Sequence, residues 1–448
     1  MRELLIAAAE RAMRYLEGLN ERGVAPDPTV VARLAELDIP LPAHPSPAEE
    51  TVALLDSYGA ATMAMAGPRF FGFVIGGVLP ATLAANWLAG AWDQNSALAG
   101  VTPLTAKLED VALRWLRDVL GLPSETGVGF VTGATMANFT CLAAARHTVL
   151  KQAGWDVEAD GMFGAPEVAV VVGEEAHPSL FKSLGLAGFG RNRVMRVPVD
   201  KQGRMRADVF PTLSGPTIVC LQAGNVNTGA FDPAPQIISK AKAANAWVHV
   251  DGAFGLWAAA APSKAHLMAG YADADSWATD AHKYLNTPYD SGLAFVRSPE
   301  VLQAAMAVSA AYLPSSSTRD PANFTPELSR RARGIEVWAA LHTLGRSGLA
   351  DLVERTCRYA VRFAEGLRTA GYTILNEVVF NQVLVMFGDA ERTRRVIAGI
   401  QKDGTCWCGG TTWQGQTAMR ISVSSWATTD ADVERSLHAM IRVAREQA

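Results

Sequence analysis

Asp251 and Lys283 are the two residues of this chain whose types and setting could do the most specific chemistry. Asp251 closes an apolar run in H-V-D-G-A-F-G, residues 249–255. Lys283 follows a second run, in T-D-A-H-K-Y-L-N-T-P-Y-D-S-G, residues 279–292. A lysine in a partly dry site loses its proton more easily, and the free amine then attacks carbonyls. A carboxylate at close range holds a pyridine nitrogen protonated, an effect of roughly one to three powers of ten. Pyridoxal phosphate chemistry needs both: an amine to hold the aldehyde as a Schiff base and an acid partner for the ring nitrogen. Taken singly, each residue has a plainer reading. Lys283 could be a solvated surface charge, and Asp251 could cap the next helix.

Two further elements point the same way. Residues 129–138 read G-F-V-T-G-A-T-M-A-N, a glycine-rich turn opening a helical stretch. Backbone N–H groups and the Thr132 and Thr135 hydroxyls at a helix start suit a phosphate dianion. The segment is neither a nucleotide P-loop nor a dinucleotide fingerprint. His177, in E-E-A-H-P-S, could stack its flat ring on a flat cofactor or serve as a structural hydrogen-bonding group.

These residues need a scaffold that brings them to one edge. Short apolar runs at 167–172, 217–221, 246–250, 275–279 and 293–296 alternate with helical segments. That pattern predicts an α/β fold with a mostly parallel sheet buried on both faces. Ligands of such sheets sit at the carboxyl ends of the strands, where His177, Asp251 and Lys283 all fall. Residues 1–65 read as two helices around a Pro-rich connector. Residues 107–120 read as an amphipathic helix with Leu108, Val111, Ala112, Trp115, Leu116 and Val119 on one face, stopped by Gly121 and Pro123. After Gly348 come a long helix to about Arg368 and short strands near 372–375, 383–387 and 418–423, a smaller α+β region. Residues 315–326 read as an exposed, mobile loop.

The bulk numbers narrow the function class. The 448 residues are 49% hydrophobic and 19% charged, with a net charge of −4 and no basic block, which argues against nucleic acid as a partner. The five scattered cysteines argue against a disulfide scaffold and for a reducing cytoplasm. Cys406-Trp-Cys408 has no flanking Cys/His pair, so no metal site is expected. The charge-free stretch from Phe70 to Trp92 is long enough for a membrane span. It contains Gly76-Gly77, Pro80 and Asn86 and reads instead as a buried pocket or subunit-interface segment.

The order of these elements, with further local motifs, resembles the group II pyridoxal-phosphate-dependent amino acid decarboxylases of the aromatic-L-amino-acid decarboxylase type. The segments that carry the resemblance are G-P-R-F-F-G-F (67–73), L-E with W-L around Glu109 and Trp115-Leu116, T-G-A-T-M-A-N, E-A-H-P-S, N-T-G-A-F-D-P (227–233), H-V-D-G-A-F-G, D-A-H-K-Y-L-N-T-P-Y-D-S-G and L-S-R-R (328–331). It runs from about residue 50 to the end. The resemblance implies a fold-type I enzyme that decarboxylates a free L-amino acid, and a homodimer with shared active sites. Its implied parts are an N-terminal helical dimerisation segment (1–95), a large cofactor-binding domain (96–345) and a small C-terminal domain (346–448).

The resemblance also implies residue roles. Lys283 holds the cofactor aldehyde, Asp251 pairs with the ring nitrogen, His177 stacks on the ring and Ala253 packs its other face. Ala134, Thr135 and His282 hold the phosphate, with Asn225 and Asp280 completing the cofactor set. Phe70, Phe71, Phe73 and Val74-Ile75 line the side-chain pocket, with residues near Val101 entering from the partner subunit. Arg420, in T-A-M-R-I-S, meets a substrate carboxylate or forms an interdomain salt bridge. The apolar pocket segment favours an aromatic or bulky aliphatic substrate.

The chain departs from the family pattern in three places. The family's loop carries a proton-donating tyrosine some ten residues before the R-R pair; here residues 320–331 contain none, and Pro321 falls near that place. Relatives with phenylalanine there make aldehydes by oxidative deamination. Asn225-Val226 stands where the family prefers a threonine pair, and Pro178 replaces a small hydroxyl residue.

Overall fold

The computed structural model describes residues 1–308 and 319–447. They divide into two compact units. One comprises Val78–Arg358 and Asn376–Gln382, the other Met1–Gly77, Tyr359–Leu375 and Val383–Ala448.

The larger unit is built on seven strands: β1 (Gly127–Val131), β2 (Ala169–Gly173), β3 (Met195–Val197), β4 (Thr217–Gln222), β5 (Trp247–Asp251), β6 (Ser276–Asp280) and β7 (Gly292–Val296), in the spatial order β1-β7-β6-β5-β4-β2-β3. Strands β2 to β6 are parallel, and β7 runs antiparallel to both of its neighbours. The five apolar runs expected as strands are all strands. The short β3 is too polar to stand out in the sequence, and β1 lay hidden in the glycine-rich motif. All five residues of β1, β5, β6 and β7 are buried, as expected for strands covered on both faces.

Register sets the site edge. Gln222 pairs with Asp251 and Asp251 with Ala278, so β4 and β5 finish level, while β6 runs on to Asp280, which pairs with Gly292 at the start of β7. The helix Ala134–Gln152 buries Ala137, Cys141, Ala144 and Ala145 against the sheet. Its small residues permit the close approach. A Cβ on Gly292 would lie 2.4 Å from Gly133 Cα, so the turn that starts this helix rests directly on the backbone of β7.

The helix after residue 102 starts at Pro103, earlier than expected because proline suits a first helical turn. Its buried face includes Leu113 and Glu109, while Trp115 lies at the margin on Trp338, 6.1 Å between centroids. Glu109 accepts from Arg330 Nη1 at 2.7 Å, and Arg330 Nη2 donates to Phe130 O of β1 at 2.9 Å. The L-S-R-R motif thus ties a buried ion pair to the strand leading into the glycine-rich turn. The loop expected at 315–326 is corrected in its described half. Asp320, Ala322, Phe324 and Thr325 are buried, with Asp320 Oδ1 accepting from Ala99 N and Ala322 N donating to Ala97 O. Residues 315–318 lie outside the described residues.

The other unit contains the antiparallel sheet of β8 (Thr373–Ile374), β9 (Gln382–Met386), β10 (Gly409–Trp413) and β11 (Gln416–Ser422), in the order β10-β11-β9-β8. Gln382, the first residue of β9, belongs to the larger unit. The Pro-rich connector near the N-terminus holds a short third helix, Pro28–Ala32, capped by Asp27. The long helix Gly334–Thr369 is broken at Gly345, whose φ of 58° and ψ of −175° are not helical. No helix among the described residues is long and apolar enough to cross a membrane.

Candidate active site

In the larger unit, four of the expected residues meet around one carboxylate. Asp280 Oδ1 accepts from the Ala134 amide at 2.5 Å and lies 3.5 Å from His282 Nε2. Asp280 Oδ2 lies 2.8 Å from Lys283 Nζ. Ala134 opens the helix Ala134–Gln152, where free N–H groups and the helix dipole favour negative charge. Lys283 sits in the short helix Ala281–Tyr284, its Nζ 5.9 Å from the Phe254 ring centroid. Burial pushes the His282 imidazole below its ordinary value, which favours the neutral ring. Its Nδ1 accepts from Ser291 N at 3.3 Å, and its face stacks on Tyr289, 4.2 Å between centroids.

Asp251 is the last residue of β5 and is 4% exposed. Its Oδ2 accepts from Asn138 Nδ2 at 3.0 Å, and its Oδ1 accepts from Ala253 N at 3.2 Å. Ala253 in turn accepts from Asp280 N at 2.9 Å, so the turn after β5 and the end of β6 are locked together. His177 caps the helix Pro178–Leu186. Its Nδ1 accepts from Ser179 N at 3.2 Å and lies 2.7 Å from Ser179 Oγ. An amide can only donate, so Nδ1 is the unprotonated ring nitrogen. Pro178 fits the first helical turn, which accounts for the departure there. Thr135 O accepts from Ser183 Oγ at 2.7 Å, pinning that helix to the start of the helix Ala134–Gln152.

These residues fit pyridoxal phosphate. A Cβ on Gly133 would lie 3.3 Å from His282 Cε1 and 3.4 Å from Asp280 Oδ1, so a side chain there would fill the turn. Asn225, 1% exposed just beyond β4, spends its Oδ1 on Asn227 N and Thr228 N. Its Nδ2 is a buried donor with no partner among the described residues, and such a group normally finds an acceptor.

The residues expected to line a substrate pocket lie in the other unit. Phe71 is 1% exposed and packs edge-on against Phe363, which makes it a core residue rather than a surface open to a ligand. Val74 is also buried. Phe70 stacks on Trp407, 5.2 Å between centroids and 14° apart, and Phe73 lies 5.9 Å from the same ring. Phe73 is half-exposed with φ at +57°, a left-handed conformation that costs a bulky residue about 1–3 kcal/mol. Arg420 Nη2 donates to Phe73 O at 3.3 Å. Burial pushes its guanidinium down to about 10, and no carboxylate among the described residues pairs with it. The salt-bridge alternative therefore has no support within these residues.

Tyr289 and Trp407 carry no role in the sequence reading. Cys406 and Cys408 are buried on either side of Trp407, which pairs with Phe70 in an isolated β-bridge ahead of β10. A Cβ on Gly72 would come within 2.2 Å of the Trp407 ring, so the glycine in F-F-G-F makes room for it.

Comparison with known proteins bears on the family and the fold. The model of the pyridoxal-dependent decarboxylase conserved domain matches residues 56–387. Tryptophan decarboxylase 1 of Oryza sativa subsp. japonica is 26% identical over 95% of this chain and 90% of its own. The 4-hydroxyphenylacetaldehyde synthase of Rhodiola rosea is 26% identical over 74% of this chain and 72% of its own. In fold, the chain is similar to the crystal structure of Oryza sativa TDC with PLP and tryptamine, with a TM-score of 0.91, 23% identity and coverage of 99% and 97%. The sheet order, the smaller antiparallel sheet and a family match across most of its length show that this chain belongs to the pyridoxal-phosphate-dependent decarboxylases of group II, with the fold-type I architecture.

Proposed function

We propose that this decarboxylase acts on a free L-amino acid with an aromatic or bulky apolar side chain and releases the amine and CO2. The observation that carries the substrate class is the half-exposed Phe73, stacked with Phe70 on Trp407 beside the Arg420 guanidinium, which meets no carboxylate among the described residues. Flat apolar surface suits an aromatic side chain, and a partly dry arginine suits a carboxylate. The tryptophan decarboxylase among the relatives supports the same class.

Lys283 Nζ would hold the cofactor aldehyde, Asp251 the ring nitrogen, and His177 and Ala253 the two ring faces. The Ala134 amide, Thr135 and His282 would hold the phosphate, with Asn225 and Asp280 completing the cofactor set. When bound, pyridoxal phosphate supplies the carbonyl that captures the amino group and the ring that takes up the electron pair left by CO2. The protein does the rest. Asp280 Oδ2, 2.8 Å from Lys283 Nζ, orients the ammonium and is the contacting acceptor for the proton that nitrogen must shed before it becomes nucleophilic. Asn138 and the Ala253 amide keep Asp251 fixed as an acceptor. Arg420 orients the substrate carboxylate, and the aromatic group accepts its side chain.

A second outcome is favoured by one observation: residues 319–331 contain no tyrosine. Without that proton donor, aldehyde formation competes, using oxygen and water and releasing CO2, ammonia and hydrogen peroxide. The aldehyde synthase among the relatives supports this branch. The cofactor-loaded protein, incubated with each of the twenty amino acids, separates the two by product mass and oxygen uptake. Amine without oxygen uptake supports simple decarboxylation, and aldehyde with peroxide supports the alternative. Turnover of glutamate alone overturns the substrate class.

The same reading makes the protein a cytoplasmic homodimer that shares its active sites and associates through residues 1–95. The helix Arg2–Glu17 has no buried residue and exposes Leu5, Ile6 and Met13. The five cysteines are all free, which suits a reducing compartment. Sedimentation of the full chain with and without those three apolar side chains tests the association.

A further inference from the structure

Behind Asp251 lies a chain of buried polar groups, of which the proposed chemistry uses only the first, Asn138. Asn138, His249 and Ser276 are each 0% exposed. Trp247 Nε1 lies 2.9 Å from Ser276 Oγ. Ser276 Oγ lies 2.9 Å from His249 Nδ1, and His249 Nε2 lies 2.9 Å from Asn138 Oδ1. Asn138 Nδ2 then reaches Asp251 Oδ2 at 3.0 Å. The groups come from three separate elements: β5 supplies Trp247, His249 and Asp251, β6 supplies Ser276, and the helix Ala134–Gln152 supplies Asn138.

The direction of every bond in this chain follows from chemistry. An ionised carboxylate only accepts, so the Asn138 amide must turn its NH2 to Asp251 and its oxygen to His249. That oxygen needs a donor, which makes His249 Nε2 the protonated ring nitrogen. Burial pushes the His249 imidazole down to about 3, so the ring is neutral and Nδ1 is an acceptor. Ser276 therefore donates its hydroxyl proton to Nδ1, and its oxygen accepts from the indole of Trp247, which can only donate. Four hydrogen bonds run head to tail and end on one carboxylate oxygen. Aligned bonds of this kind polarise one another in a low-dielectric interior.

We infer that Asn138, His249 and Ser276 are positioning residues that hold the Asp251 carboxylate in place for the cofactor's ring nitrogen. This rests on the reading that Asp251 faces that nitrogen. The relay is the counterpart of the hydrogen bonds that orient metal-bound histidines from behind: it fixes the geometry of a group that itself makes the contact. A purely structural network would have no reason to point all its donors toward the one residue expected at the ring.

The test is a comparison of two ligands that differ at a single atom. The cofactor-stripped full chain is titrated with pyridoxal phosphate and with the analogue in which CH replaces the ring nitrogen, and both dissociation constants are measured by equilibrium dialysis. The parent protein binds pyridoxal phosphate more tightly. Asn138→Ala reduces that preference by about tenfold, the size of one lost hydrogen bond to a charged group. His249→Leu reduces it by several fold, Ser276→Ala by less, and His249→Gln, whose amide can donate toward Asn138, restores most of it. Asp251→Asn abolishes the preference. Should Asp251→Asn abolish it while Asn138→Ala and His249→Leu weaken both ligands equally or neither, the relay is overturned and the Asp251 reading stands. Should Asp251→Asn leave the preference intact, the Asp251 reading falls and the relay falls with it. Ser276→Ala and His249→Gln keep the comparison measurable if the larger truncations fail to fold.

Discussion

The two candidate regions of this protein are built in opposite ways. In the larger unit, the polar groups around Asp251 and Asp280 are almost all spent on one another: amide, ammonium and imidazole on Asp280, asparagine and backbone on Asp251. In the other unit, the group around Phe73 is left open, with a strained, half-exposed aromatic ring and a half-buried guanidinium that donates to a backbone carbonyl. A closed network holds a geometry that the same cofactor needs on every turnover. An open one leaves interaction energy available for a substrate. The contrast predicts that damage to the first region shows in cofactor binding and stability, and damage to the second in substrate discrimination.

The largest effect should come from Lys283→Ala. Activity is lost entirely, and borohydride reduction of the loaded protein labels the Lys283 peptide of the parent while leaving the variant unlabelled. Retained activity would remove Lys283 from the chemistry and blur the contrast at its root. Next in size is the acid response of the relay. His249 titrates near 6.5 when unfolded and is pushed down to about 3 when folded. A depressed value means that its contribution is complete above pH 6.5 and is lost as pH falls toward 3. The slope approaches about 1.4 kcal/mol per pH unit within that window. His249→Gln should flatten the fall in urea-measured stability between pH 6 and pH 4 relative to the parent; parallel curves would show that His249 is not the acid-sensitive group.

Sequence reasoning reached the closed region better than the open one, for a physical reason. The residues expected to hold the cofactor sit at strand ends, and strands buried on both faces announce themselves as apolar runs, so Asp251 and Lys283 could be placed by where those runs stop. Asp280 and Ala134 fell into contact because β6 and β7 align Asp280 with Gly292, which rests on Gly133. The relay was not legible, since it joins residues from three elements whose pairing only the sheet order reveals. The aromatic group was half legible. The F-F-G-F run pointed to Phe70, Phe71 and Phe73 alike, but which phenylalanine faces inward depends on the left-handed turn at Phe73, which the sequence does not signal. Hence Phe71 was expected in a pocket and lies in a core. Trp407 joins from a segment more than three hundred residues away along the chain.

Arg420 sharpens the comparison because two of its effects have opposite signs. Its guanidinium is partly desolvated and has no ion pair among the described residues. Arg420→Met removes the cost of that desolvation, so stability to urea should hold or rise slightly. The same substitution removes a charge-assisted contact worth about 1.5–3 kcal/mol to a carboxylate, so KM for the amino acid should rise roughly ten- to a hundredfold. Cofactor affinity should stay unchanged. A loss of stability with KM intact would make Arg420 a structural residue and leave the open region without its charged member.

Phe73 should give the smallest effect on stability and the most selective one on function. Its left-handed backbone favours glycine, so Phe73→Gly relieves strain while losing the stack on Trp407, worth about 0.5–1.5 kcal/mol, and adding chain entropy to the unfolded state. These terms nearly cancel, and the net change should stay within about 1 kcal/mol. Phe73→Leu keeps the strain and loses the stack, so it should be the less stable of the two variants. If the ring is there for a substrate, both substitutions lower kcat/KM for aromatic amino acids more than for aliphatic ones, whatever their order in stability. If it is there for packing, activity follows stability and the glycine variant is the more active on every substrate. The two orders cannot both be observed, because one ranks the variants by backbone strain and the other by the presence of an aromatic face.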